Sequence, residues 1–113
     1  RIVLDPWLAG NPSCPPSHRR FDRLDLILLT HAHSDHMGDA LALAREHEAL
    51  LISNYDLTSH LAAQGAPKVS GMNLGGTQEA CGLRVSMVRA DHSSGFLHDG
   101  LPVYGGLAAG FVV

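Results

Sequence analysis

Thr30-His31-Ala32-His33-Ser34-Asp35-His36 is the stretch on which the reading of this chain turns. It follows the apolar run Leu26-Ile27-Leu28-Leu29 and precedes Met37-Gly38-Asp39-Ala40. An unbroken apolar run of that kind suits a strand buried on both faces. In an extended segment, residues two apart project to the same side, so His31 and His33 aim at one point. Asp35 and His36 come where the chain must turn into a helix, and they face the same cavity from another direction. Imidazole and carboxylate together suit Zn²⁺ and its first-row neighbours. Crevices at the carboxyl ends of strands are also where α/β sheets place their ligands. A lone pair of histidines would be read as surface or loop residues, and His18, His47, His60 and His98 are read as ordinary residues here. Three histidines and an aspartate packed this closely make a metal site.

The elements around this stretch form a rhythm. Arg1 to Asp5 reads as a short buried strand ended by Asp5-Pro6, because proline lacks the ladder N–H and pushes its predecessor to extended geometry. The Gly10 to Ser17 stretch is a loop by turn chemistry, with Trp7 and Leu8 packing beside it. After the histidine cluster, Asp39 to His47 has helical composition, and Ala49 to Ile52 is the next strand. Asn54 is a fitting N-cap for a helix from Tyr55 to Gln64, with Gly65 as its stop. Strand and helix in alternation mean α/β layering around a sheet.

The second half changes character. Gly71-Met72-Asn73-Leu74-Gly75-Gly76-Thr77 lacks the spacing of nucleotide loops and reads as a tight connection between strands. Leu83 to Val88 alternates as a half-buried strand does, with Cys81-Gly82 as a hairpin turn before it. That strand runs out into Ala90-Asp91-His92-Ser93-Ser94-Gly95. By position alone, His92 is equally a ligand or a loop residue.

Composition narrows the function classes. A chain of 113 residues with 45% hydrophobic and 17% charged content is a single small globular domain. Eight Lys+Arg against eleven Asp+Glu, a formal charge of −3, supply no footprint for nucleic acid or an anionic membrane. No apolar run approaches the roughly 20 residues that span a bilayer. Two cysteines without CxxC spacing, Cys14 and Cys81, read as free thiols of a cytoplasmic protein, with one disulfide as the alternative. The chain opens inside an apolar strand and closes on Phe111-Val112-Val113, so it is expected to be an internal piece of a domain.

The motif His31-x-His33-x-Asp35-His36 after an apolar strand resembles the metal signature of the metallo-β-lactamase superfamily. Leu4-Asp5-Pro6, Gly10-Asn11-Pro12, Leu28-Leu29-Thr30-His31, Gly38-Asp39-Ala40, the Gly71 to Thr77 stretch and His92-Ser93-Ser94 extend the likeness along nearly the whole chain. Together they are similar to a branch of metal-dependent hydrolases related to the sugar-phosphate lactonases. The resemblance implies a four-layer αββα sandwich, of which this chain is one partial domain truncated at both ends. It also implies that His31, His33 and His92 bind a first metal, while Asp35 and His36 belong to a second. Zn²⁺ suits those donors, with Mn²⁺ or Fe²⁺ as alternatives. The family's bridging aspartate and last histidine have no match in these residues.

In a complete site of that family, two metals hold a hydroxide whose pKa falls towards about 7, and it attacks an ester, lactone, amide or phosphoester. Asp35 would orient the attacking water. Asp5 would either accept the outer N–H of a ligating imidazole or merely cap a turn. With part of the site absent, the expectation is one metal bound better than two and weak or no turnover. Three readings compete: a hydrolase of small molecules, a phosphodiesterase or nuclease of the same superfamily, and a metal-binding piece without activity of its own. β-Lactam hydrolysis is not expected. Uncovered sheet edges are expected to make the piece self-associate.

Overall fold

Alternation along one strand sets the layers. A computed structural model describes all residues from 1 to 113. In it the apolar run becomes β2, Leu26–Leu28, in the middle of a parallel sheet. Its neighbours are β1, Ile2–Leu4, and β3, Leu50–Asn54, and β4, Lys68–Met72, completes the order β1-β2-β3-β4. Successive side chains leave a strand on opposite faces. Ile27, Leu29 and Leu51 therefore point one way, into a core shared with Ala40, Leu43 and Ala44 of α2 (Ala40–His47) and with Leu57 and Leu61 of α3 (Tyr55–Ala63). Leu26, Leu28, Ile52 and Met72 point the other way.

That second face meets an antiparallel sheet. It is built of β5, Thr77–Ala80, β6, Leu83–Arg89, and β9, Ala109–Val112, in the order β5-β6-β9. Ala80, Val85, Met87 and Ala109 close the second core from that side. Helices, parallel sheet and antiparallel sheet make three stacked layers, in the α/β/β order of the expected sandwich. The strand edges β1 and β9 remain unpaired on their outer sides, and Leu4, Val112 and Val113 are 54%, 60% and 59% exposed there.

Several boundaries differ from the sequence expectation, each for a local reason. Asp39, read as the start of a helix, is the N-cap of α2, its carbonyl accepting from Leu43 N–H (2.9 Å), while its carboxylate serves the loop after β1. It accepts from the backbone N–H groups of Leu8 (2.8 Å) and Ala9 (2.9 Å), while its own N–H donates to the Pro6 carbonyl. The glycine-rich stretch divides: Gly71 and Met72 end β4, and β5 begins at Thr77. Cys81 and Gly82 form the expected hairpin turn, both with positive φ, the geometry of the two-residue turns that match strand twist.

A second hairpin was not expected. Strands β7, Gly95–His98, and β8, Leu101–Tyr104, pair only with each other. Asp99 and Gly100 turn it with φ of 50° and 77°. Its inner face packs on α3, where the His60 ring meets Phe96 edge-on at 4.9 Å and His98 at 5.0 Å. Leu97 on its other face, and Leu101 opposite His98 near the turn, are exposed.

Asn54 ties the layers together. Its side-chain oxygen accepts from Leu57 N–H and caps α3 (2.9 Å), as the sequence led one to expect. Its amide donates to the carbonyls of Gly105 (2.8 Å) and Leu107 (3.1 Å) on the approach to β9. A Cβ on Gly106 would come within 2.0 Å of that side-chain oxygen, and φ there is +76°. Only glycine fits.

Candidate metal centre

The edge strand β1 and its neighbour β2 deliver the first groups side by side. Asp5 follows β1 with φ of 46°, a left-handed conformation that aspartate tolerates better than most residues. Its N–H donates to Leu28 O (3.0 Å), which keeps it against the end of β2. Thr30 follows β2, held by Leu29 N–H to Ile52 O (3.0 Å) and by the Ser53 hydroxyl to Leu29 O (2.8 Å). The Asp5 carboxylate then takes three donors. Oδ1 accepts from Thr30 N–H (2.8 Å), and Oδ2 accepts from Thr30 Oγ1 (2.6 Å) and His36 Nδ1 (2.9 Å).

These contacts settle where the imidazole protons lie. Thr30 Oγ1 spends its hydrogen on Asp5, so at 2.8 Å from His31 Nδ1 it acts as an acceptor. His31 therefore carries its proton on Nδ1 and leaves Nε2 bare. His36 donates Nδ1–H directly to Asp5, so its Nε2 is bare as well. One carboxylate fixes two tautomers. A ligating histidine needs such an acceptor behind it, to orient the ring and raise its basicity. Asp5 thus accepts an outer imidazole N–H, that of His36, and with three donors bound it has little capacity left as a ligand.

His33 enters from the same loop. Its Nδ1 lies 3.1 Å from His31 Nε2, and its Nε2 lies 3.4 Å from the Ser93 hydroxyl. With the proton on Nε2 towards Ser93, Nδ1 is bare too. His92 arrives from the antiparallel sheet, beyond the end of β6. Its ring centroid is 4.7 Å from His31 and 5.1 Å from His33. One nitrogen from each of His31, His33 and His92 falls within 4.8 Å of the others.

Zinc fits that donor set. Two nitrogens at about 2.0–2.1 Å from a tetrahedral zinc stand about 3.3 Å apart, close to the 3.1 Å observed between His31 and His33. A second trio, Asp5, His31 and His36, meets the same distance criterion, but its Asp5 oxygens are already engaged. Asp35 joins neither trio. It lies on α1, Ser34–Met37, with its side chain 56% exposed and Oδ2 3.9 Å from His36 Nε2.

Electrostatics favours neutral imidazole at the middle of the cluster. His31 is held below the ordinary histidine range, first by burial and then by charge on His36, His33 and His92, with Asp5 pulling the other way. A neutral ring is the form that donates a lone pair to a metal.

Comparison with known proteins agrees with this geometry. The sequence matches the family model for the beta-lactamase superfamily domain over residues 1–113. The chain belongs to the beta-lactamase superfamily. Among its relatives, a protein of Roseiflexus sp. named metal-dependent hydrolase is 42% identical over 118 residues, covering 100% of this chain and 48% of that protein. One of the same description from Koribacter versatilis is 39% identical over 99% of this chain and 48% of its own length. The structure of Igni18, a metallo hydrolase from the archaeon Ignicoccus hospitalis, superposes with a TM-score of 0.77 at 31% identity, over 98% of this chain and 46% of that one. The chain thus spans about half the length of the curated relatives it matches.

Two cavities flank the centre of this superfamily domain. One, about 340 Å³, lies between α1 and β7, walled by Ala32, His33, Asp35, Met37, Phe96 and Leu97. The other, about 320 Å³, lies beyond His92 and is lined by Leu74, Arg89, Asp91 and Leu107 among others. Arg89 is the one cation in these two linings, and it pairs with Asp91 at 2.8 Å. Sequence reasoning did not single out Thr30 as the link between Asp5 and His31. A hydroxyl directly before the His-x-His run was the available signal.

Proposed function

We propose that this chain carries the principal metal site of a metal-dependent hydrolase acting on a small ester, lactone or related substrate. The observation behind the reading is the convergence of His31, His33 and His92 beside a cavity that His33 lines. Zn²⁺ is the ion the three-imidazole set suits best, with Mn²⁺ or Fe²⁺ as alternatives. A divalent ion there supplies a Lewis acid that polarises a carbonyl and makes water a competent nucleophile near neutral pH. His31, His33 and His92 hold it, and Asp5 keeps His31 and His36 oriented with their protons turned away. Asp35, which lines the α1–β7 cavity, would orient the water and accept its proton. Met37, Phe96 and Leu97 would offer apolar contact to one arm of the substrate. No free cation lines that cavity, which supports a neutral small molecule over a phosphodiester or nucleic acid.

No helix is long and apolar enough to cross a membrane. Both cysteines are free, in keeping with a reducing cytoplasm. The decisive assay uses protein of the relatives' full length, loaded with zinc, against an aryl acetate, a five-membered lactone and an aryl phosphodiester. Turnover of ester or lactone, abolished by chelation, is the expected result. Faster phosphodiester cleavage would overturn it.

The open edges carry a further expectation for the 113-residue chain alone. Light scattering after size-exclusion chromatography should show dimers or larger species, because β1 and β9 offer unpaired backbone and exposed valine and leucine. A sharp monomer peak would contradict this.

A further inference from the structure

Three of the four imidazoles at the centre have rings tied by a side chain. Thr30 holds His31, Asp5 holds His36, and Ser93 reaches His33. No hydrogen bond holds the His92 ring, and His92 is exposed. Its position is therefore set by the backbone on either side. Upstream, Arg89 to Asp91 are exposed, and their one side-chain tie is the surface pair between Arg89 and Asp91. Downstream the situation is the reverse. Ser94 is buried, at 5% exposure. Its hydroxyl accepts from Ala32 N–H at 3.1 Å and donates to Gly105 O at 3.0 Å.

Ala32 is the residue between His31 and His33, and it is fully buried. We infer that Ser94 is a positioning residue of the centre: its hydroxyl locks the His92 loop to the backbone of the His31–His33 segment and thereby sets how tightly the three imidazoles hold an ion. This inference rests on the reading of those imidazoles as metal ligands.

Upstream, the nearest tie is the pairing of Arg89 with Ala109 in the β6–β9 ladder, three residues from His92; Ser94 is the nearer anchor. Ser94 lies two residues from His92, a span of at most about 7 Å, so pinning one leaves the other little latitude. Three backbone segments meet at this point with no space between them. A Cβ on Gly105 would lie 2.0 Å from Ser94 O and 2.5 Å from the Ala32 Cβ. The two hydrogen bonds of Ser94 are also unequal in consequence. Gly105 O has a second donor in the Asn54 amide at 2.8 Å, so it stays satisfied without the hydroxyl. Ala32 N–H has no other acceptor. A buried donor left unpaired costs the full desolvation of that group, and here the cost falls in the middle of the His-x-His segment. The same engagement makes Ser94 a poor nucleophile, since its hydroxyl is spent in both directions.

The test compares the parent chain with Ser94→Ala and with Val85→Ala, a comparator that opens a space in the second core at the far end of β6. Two quantities are measured: zinc affinity by competition with a chromophoric chelator, and proton NOEs from the His92 ring to the His31 and His33 rings in metal-free protein. Ser94→Ala should weaken zinc binding by about 10–100-fold, the usual effect of losing a group that orients ligands, and should lose the His92 NOEs. Val85→Ala should lower thermal stability and leave both quantities unchanged. Affinity within about twofold of the parent, with the NOEs kept, would overturn the inference. So would an equal loss in Val85→Ala, which would reveal general loosening. If the parent binds no zinc yet Ser94→Ala loses the NOEs, the placement of His92 by Ser94 stands and the metal reading fails.

Discussion

His33→Ala should empty the centre. The parent chain is expected to purify with about one zinc ion, measured by mass spectrometry, and the variant with less than about a tenth of that. The reason lies in the position of His33 rather than in a simple count of donors. Its Nδ1 is 3.1 Å from His31 Nε2, and its ring stands 5.1 Å from His92. Without it, His31 and His92 remain as two donors, one buried and one exposed. A second ion has weaker support in this chain. His36 Nε2 and Asp35 Oδ2 are 3.9 Å apart, and the nearby Asp5 oxygens are already accepting hydrogen bonds. Two ions bound equally tightly by the 113-residue chain would sink this account. So would full zinc content in the variant.

Asp5→Asn is the second large effect, although Asp5 touches no ion in this reading. The carboxylate accepts three hydrogen bonds with two oxygens. An amide offers one accepting oxygen and presents NH₂ on the other side. Either Thr30 or His36 then faces donor against donor. The His31 proton loses its reason to stay on Nδ1, because Thr30 Oγ1 no longer has a fixed acceptor for its own hydrogen. Zinc affinity should fall about 10–100-fold, and the melting temperature should drop with the loss of a charge-assisted network worth about 1–3 kcal/mol. Nitrogen-15 shifts of the imidazoles provide the discriminating readout: His31 and His36 as Nδ1–H forms in the parent, a tautomer mixture in the variant. Unchanged shifts and unchanged affinity would show that Asp5 only shapes the turn after β1.

How much of this was readable in the amino-acid order depended on whether the deciding contact was local. Leu26 to Leu29 announced a doubly buried strand because periodicity needs no partner to be seen. The His31 to His36 cluster stood out because ligand type and spacing lie within one turn of chain. Asn54 was recognisable as a cap three residues before its acceptor's donor, Leu57. Asp5 could be narrowed only to two roles, since Thr30 and His36 reach it from 25 and 31 residues away. Asp39 was legible as a helix start and caps α2, but the reach of its carboxylate to Leu8 and Ala9 was not, since those residues lie 31 and 30 positions away. The strand Lys68–Met72 carries a weak pattern, Lys-Val-Ser-Gly-Met, and is specified by its pairing in register with Leu50–Asn54. The β7–β8 hairpin did leave a local mark, the Asp99-Gly100 turn, and reading it would have divided the last third of the chain correctly.

That hairpin is fastened where it leaves the body and exposed along much of its length. Ser94 and Gly105 close its neck, and Asn54 secures the strand of return, while Leu97, Leu101 and Tyr104 face outward. A lineage can therefore lengthen, shorten or recolour the excursion between Gly95 and Tyr104 without touching the rings of His31, His33, His36 or His92. Because Phe96 and Leu97 form one wall of the cavity beside His33, such changes would alter which molecules fit while the chemistry stays put. The architecture separates the shape of the cavity from the placement of the rings, and lets selection act on the first at little risk to the second.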